Sequence, residues 1–197
     1  MEKKLCRTEQ AKRTKQHILE TAMKLFEEEG YEKVTIRKIS STAGVSIGNF
    51  YHYFKSKEDI QLQMYRNFDE LVREVLEKKE YETKFDAIRD LIMHQLELDP
   101  KRVEIMVQTL RVQLASEKYV IDETREITSY LDHLLYEAVE TGEIHPSHNL
   151  KETRDWILRT SRGILFDWAL RGGIYDMQKT AIHDLNVILE YLSKEKI

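Results

Sequence analysis

The sequence predicts an all-α protein, and three observations carry that prediction. Seven glycines and two prolines are too few for the turns of a sandwich or barrel. Charged residues make up 34% and hydrophobic ones 41%, a balance that suits amphipathic helices around a modest core. Apolar residues recur three and four apart along most of the chain, punctuated by helix caps and stops. No strand pattern and no internal repeat stand out. The 197 residues suffice for one large domain or two small ones at roughly 150 residues per domain.

The first helix is expected from about Glu9 to Glu29, with Ile18, Leu19, Ala22, Leu25 and Phe26 on one face and Gly30 as its stop. A short helix follows over 36–43, capped by Thr35, with Ile36, Ile39 and Ala43 inward. Gly44 breaks it, Val45 plugs the core, and Ser46 caps another short helix through about His52. Ser56-Lys57-Glu58-Asp59 reads as a capping signal for a long helix to about Lys79. Further helices are expected over about 84–98, 100–115 and 123–141, with Pro100 in a first turn, where proline is tolerated. The stretch 142–148 is the clearest loop. Asn149 then caps a helix over 150–171 that ends at Gly172-Gly173, and a last helix covers about 177–193.

Net charge is −4, which alone would discourage a nucleic-acid reading. Its distribution changes that. Residues 1–57 carry twelve Lys/Arg against seven Glu, while 58–197 carry nineteen basic and twenty-eight acidic side chains. A basic head on an acidic body suits a chain that meets a polyanion at one end. Met1-Glu2-Lys3-Lys4-Leu5 leads into no apolar stretch, and no run approaches about 18 apolar residues. Neither a secretory leader nor a membrane span is expected, and the cytosol is the expected compartment. A single cysteine, Cys6, excludes an intrachain disulfide framework and a cysteine-based zinc site.

Two short helices joined by a turn at Gly44 form a helix-turn-helix signature, the second helix placed to enter a DNA major groove. Ala43 and Gly44 are small enough for the helices to approach, and Ile36, Ile39, Val45 and Phe50 hold the pair to the first helix. Ser46 fixes the start of the second helix. Its outward candidates are Ile47, Gly48, Asn49, Tyr51 and His52. Asn49 can pair with a base edge and Gly48 allows close backbone approach. Tyr51 and His52 can reach a phosphate or a base, and Lys57 can meet a phosphate. Arg7, Lys12, Arg13 and Lys15 form a basic arm that either contacts DNA backbone or is merely solvated. Phe54 reads as core, whereas Tyr53 fits core and surface equally.

At these residues the chain resembles the TetR family of bacterial transcription regulators. The match is Thr35-Ile36-Arg37-Lys38-Ile39 followed by Ala43-Gly44-Val45-Ser46-Ile47-Gly48-Asn49-Phe50-Tyr51-His52-Tyr53-Phe54-Lys55-Ser56-Lys57-Glu58-Asp59-Ile60. Ala22, Leu25, Phe26 and Glu29-Gly30-Tyr31 also resemble the family's first helix and its end, so the likeness covers about 9–65. Phe50 stands where leucine is usual and Tyr53 where histidine is usual, which bears on the operator sequence and not on the fold. The resemblance implies a homodimer that binds a palindromic double-stranded DNA operator, usually as a repressor, and that a small molecule releases. It implies backbone contacts from Tyr51 and Lys57, and a place at the DNA surface for Thr35, Asn49 and His52.

The domain organisation expected is a helix-turn-helix domain at 9–57, with its motif at about 34–53, and a helical effector-binding and dimerisation domain at 58–197. Met93, His94, Met106, Gln113 and Tyr130 are candidate lining for a largely apolar effector, though they suit a partly exposed bundle as well. Trp156, Thr160, Ile164, Trp168, Leu185, Leu189 and Leu192 suit either an internal core or, as the resemblance implies, a four-helix dimer interface. A rival expectation keeps the DNA head but makes the body a docking surface for another protein. No metal or cofactor is expected: His145 and His148 lack further ligands, and the glycines form no nucleotide-binding fingerprint. No catalytic constellation appears, so an enzyme is not expected.

Overall fold

A computed structural model describes residues 7–97, 103–115 and 119–196, without the side chains of Met64, Tyr65, Phe68, Leu71, Gln113 and Ala115. The described residues form helices α1 (Arg7–Glu29), α2 (Ile36–Thr42), α3 (Ile47–Tyr53), α4 (Lys57–Leu76), α5 (Lys84–Gln95), α6 (Val103–Ala115), α7 (Glu126–Glu140), α8 (Leu150–Leu170) and α9 (Met177–Leu192). Short 3-10 turns lie at Tyr31–Lys33 and Tyr119–Ile121. No strand occurs among them, so the all-α class holds. None of these helices is long and apolar enough to cross a membrane.

The chain divides into two compact units, Met1–Tyr65 with Glu104–Ser116, and Arg66–Val103 with Glu117–Ile197. In the first unit α1 packs on α2 and α2 on α3. Ile18, Ala22 and Phe26 from α1 meet Val34, Ile39, Phe50, Phe54 and Ile60 in one core, to which α6 adds Ile105. Each large apolar side chain so buried contributes roughly 1.5–3 kcal/mol. Gly30 takes a φ of +83°, and its N–H donates to the Phe26 carbonyl at 3.1 Å, closing α1 where the sequence places the stop.

A hydrogen-bonded strut supports this core. The Tyr31 hydroxyl donates to Glu58 Oε1 at 2.9 Å. A hydrogen bond from Ser56 holds the Glu58 carboxyl below the ordinary glutamate range, helped by Tyr31 and by the charge of Lys57. Because the folded value lies below the unfolded one, this contribution is complete above the unfolded value of about 4.3 and disappears as pH falls through the folded value. Urea titrations through this acid range should therefore show the first unit weakening. Glu58→Gln should flatten that part of the slope, and an unchanged slope would contradict this role for Glu58.

In the second unit α5 packs on α7 and α9, and α8 packs on the same two helices, which closes a four-helix ring. Its interior holds Ile88 and Leu91 from α5, Ile127, Leu131 and Leu135 from α7, Ile157 and Trp168 from α8, and Leu185, Leu189 and Leu192 from α9. Asn149 caps α8 by accepting from the Glu152 N–H at 3.2 Å, as its position suggests. Three helix boundaries depart from expectation by three residues, one being the end of α5 at Gln95, short of 98. Helix α4 stops at Leu76, short of Lys79, and α7 starts at Glu126, after 123. The α7 shift has a local cause: Asp122 Oδ1 accepts from the Thr124 N–H at 2.8 Å and its hydroxyl at 2.7 Å, holding the chain in a turn. Pro100 and Leu98, expected at helix ends, lie outside the described residues.

Candidate nucleic-acid interface and ligand-binding body

The helix-turn-helix is built by two caps and one reversal. Thr35 Oγ1 accepts from the Lys38 N–H at 3.2 Å and opens α2. Gly44 then adopts a φ of +65°, a left-handed conformation that suits glycine, and Val45 N–H returns to the Ser40 carbonyl at 2.9 Å. Ser46 Oγ accepts from the Asn49 N–H at 3.1 Å and opens α3. Phe50 is fully buried beneath α3, while Ile47 and Tyr51 are 46% and 53% exposed. Gly48 and His52 are also exposed, and Asn49 is half-buried. Residues 47, 48, 51 and 52 share one helical face by their spacing, so α3 has one seated face and one free face.

Gly48 helps to define that outer face. A Cβ added there would meet nothing nearer than Ser46 Oγ at 3.9 Å, and its φ is not positive. Internal packing therefore does not require glycine at this position.

Lys57, expected to meet a phosphate, is also tied within the protein. Its ammonium donates to the carbonyls of Tyr31 at 2.9 Å and Val34 at 2.8 Å, and lies 4.2 Å from the centre of the Tyr31 ring. Two of its three donors are thus engaged within the protein. Lys15, from the basic arm, donates to Gln63 at 2.8 Å and sits over the Phe54 ring. Arg7, Lys12 and Arg13 remain exposed. Sequence reasoning gives no role to Arg37, within the motif, or to Lys55, just after it, yet both are exposed. Tyr53 packs partly buried against the core, and Phe54 is buried as expected.

In the second unit Tyr130 lines a cleft of about 530 Å³, with Leu76, Ala87 and Leu134 as apolar wall and Glu77, Lys79, Glu80, Lys84 and Glu137 as a charged rim. Burial, then the charges of Glu77, Glu137 and Asp90, raises its phenol above the ordinary tyrosine range. Met93 and His94 are half-buried and do not line this cleft. His94 instead faces Glu97 at 3.3 Å and Asp90 at 3.7 Å. Met106 is a residue of α6 and belongs to the first unit, not to the expected body. The side chain of Gln113 lies outside the described residues.

The residues expected at a dimer seam occupy a different place. Trp168, Leu185, Leu189 and Leu192 are at most 3% exposed, and Ile164 is buried as well. Trp168 even donates its indole N–H to the Tyr175 carbonyl at 3.1 Å. They are internal core of the subunit. Trp156 and Thr160 are half-buried, the former edge-on to Tyr191. The exposed apolar residues here are Phe166, Leu170, Ile174, Ile182, Val187 and Tyr191.

A capped helix-turn-helix with a free polar face on its second helix is the working part of a DNA-binding transcriptional regulator. Residues 18–64 match the model of the family described as bacterial regulatory proteins, tetR family. That match makes the helix-turn-helix segment similar to that of the tetR-family transcriptional regulators. Relatives extend the likeness along the chain. The HTH-type transcriptional regulator AcrR of Shigella flexneri is 23% identical, covering 92% of this chain and 90% of its own. The fatty acid metabolism regulator protein of Bacillus subtilis (strain 168) is 26% identical, covering 89% and 91% respectively. Among solved structures, Thermus thermophilus FadR, a transcriptional repressor in complex with lauroyl-CoA, shares the fold with a TM-score of 0.69 at 19% identity, covering 93% of this chain and 97% of its own.

Proposed function

We propose that the protein is a repressor that binds a palindromic operator as a homodimer and leaves it when a small, largely apolar effector binds the second unit. The observation that carries this reading is the free face of α3. Asn49 at its edge reads a base, Gly48 admits the DNA closely, and Tyr51 and His52 meet the backbone or a base. Thr35 and Ser46 lie at the two helix starts that face the phosphates, and Arg37 and Lys55 supply charge beside them. Lys57 serves first as an internal tie between α4 and the 31–34 turn, whatever it adds at a phosphate.

The dimer seam runs over Phe166, Leu170, Ile174, Ile182 and Val187, large apolar side chains left exposed on and between α8 and α9. A dimer with twofold symmetry sets its recognition helices about 34–36 Å apart or a near multiple. For the effector, the cleft at Tyr130 falls within the roughly 300–1,000 Å³ common for small-molecule sites. The lauroyl-CoA in the Thermus relative's complex supports an apolar chain on the ligand.

Selection of binding sites from a random DNA pool tests the reading. The expected winner is a palindrome bound by a dimer, with affinity that falls steeply as salt rises. Phe166→Glu should yield monomers with weak operator binding. Asn49→Ala should relax preference at one position of each half-site, by about 1–3 kcal/mol. No preferred sequence from an intact, folded dimer would overturn the proposal.

A further inference from the structure

A second cleft in the same unit is lined by arginines and is separate from the one at Tyr130. It has a volume of about 250 Å³ and lies between the 120–123 segment and α8. Arg154, Arg159 and Arg162 line it, with Val120, Ile121 and Leu158 as an apolar wall. Arg154 is satisfied: it reaches Asp132 at 3.0 Å and Asp155 at 3.1 and 3.0 Å. The other two arginines are not matched in that way. Among the described residues neither Arg159 nor Arg162 makes an ion pair, and one Arg162 donor goes to the Val120 carbonyl at 3.1 Å.

The acids around the cleft are already engaged. Arg154 holds Asp155, Lys151 and Arg154 flank Glu123 at 3.4 and 3.5 Å, and Thr124 binds Asp122. Arg162 is half-buried on α8, one turn from Arg159. Burial, then the charge of Arg125, outweighs the opposing charge of Asp155 and pushes its guanidinium below the ordinary arginine range. A half-buried cation beside other cations, with most of its donors unmatched, is costly unless an anion joins it.

We propose that this cleft is an anion site, in which Arg159 and Arg162 grip an oxyanion, phosphate or carboxylate, of a small molecule. The remainder of that molecule lies on Val120, Ile121 and Leu158. The planar guanidinium suits an oxyanion because two parallel N–H groups meet two oxygens. The volume admits a phosphate and a few carbons and is too small for a drug-sized ligand. The proposal does not depend on the effector bound at Tyr130 or on DNA.

The test is calorimetric titration of the full chain, without DNA, with inorganic phosphate, glycerol phosphate and succinate, against sodium chloride at matched ionic strength. Saturable binding of at least one oxyanion is expected, and the pattern among the three identifies the head group. Arg162→Met and Arg159→Met should each weaken that binding about tenfold or more, the scale of a charge-assisted hydrogen bond. Arg162→Met should keep its melting temperature in plain buffer, because it removes an unmatched buried charge and keeps the stem. The proposal fails if no oxyanion binds beyond the chloride control. It fails equally if both variants bind as the parent does while Arg162→Met melts lower, which would make Arg162 a structural tie to Val120.

Discussion

Replacing Asp69 with alanine is expected to cost the second unit about 3–5 kcal/mol, the usual result of stranding one member of a buried ion pair. Asp69 is fully buried on α4. Its two oxygens accept from Arg125 Nε and Nη2, each at 2.8 Å, and Oδ2 also accepts from the Tyr119 hydroxyl at 2.9 Å. Arg125 lies 5.1 Å from the Tyr119 ring centre, and its side chain is only 9% exposed. Burial, then the charge of Asp69, raises the Tyr119 phenol to about 12. Without the carboxylate, the guanidinium keeps its desolvation cost and loses its counter-charge. Denaturant unfolding measures the loss, and Asp69→Ala with Arg125→Met should recover much of it. A single-variant loss below about 1 kcal/mol would place the pair among ordinary surface bridges and sink the argument.

Phe50→Ala is the second large effect, expected to remove about 3–5 kcal/mol from the first unit and with it operator binding. The ring lies wholly inside, 5.9 Å from Phe54 centre to centre, and it anchors α3 from below. Its neighbour provides the contrast. Tyr51 is more than half exposed, so Tyr51→Ala should leave the melting temperature nearly unchanged and weaken binding to all DNA sequences alike. Thermal melts paired with DNA titrations separate the two. If Tyr51→Ala melts as low as Phe50→Ala, the division of α3 into a seated face and a free face is wrong.

These contrasts also indicate what the sequence could reveal. Thr35, Ser46 and Asn149 are legible as caps because capping is local, a side-chain oxygen meeting an N–H three residues on. Gly30 and Gly44 are legible for the same reason, since each sits where the chain must turn. The partner of an apolar face is not local. Helix α8 carries Ile157, Ile164 and Trp168 on one side and exposes Phe166 and Leu170 on another, and spacing alone does not say which stripe meets the subunit's own core. The Trp156–Leu192 set therefore suits a core by its spacing and a seam only through the resemblance, and most of it packs inside.

Polar partnerships over distance are still less legible. Asp69 and Arg125 stand 56 residues apart, and no period links them. Arg159 and Arg162 are ordinary helix-surface residues in the sequence. That neither makes an ion pair among the described residues follows only from where Asp155 and Glu123 turn in space, toward Arg154. Lys57 likewise reads in the sequence as a cation for a phosphate, yet folding brings two carbonyls to it.

The Lys57 contacts make the polypeptide a closed ring. Its ammonium joins residues 26 and 23 positions earlier, and both α2 and α3 lie within the segment so enclosed. A sequence with one cysteine cannot fasten such a ring by an intrachain disulfide. A charged clasp does the fastening here, reversible and indifferent to oxidants. Neutralising that one amine, as acetylation does, would loosen the clasp at both carbonyls and leave the Tyr31–Glu58 hydrogen bond to span the same segment.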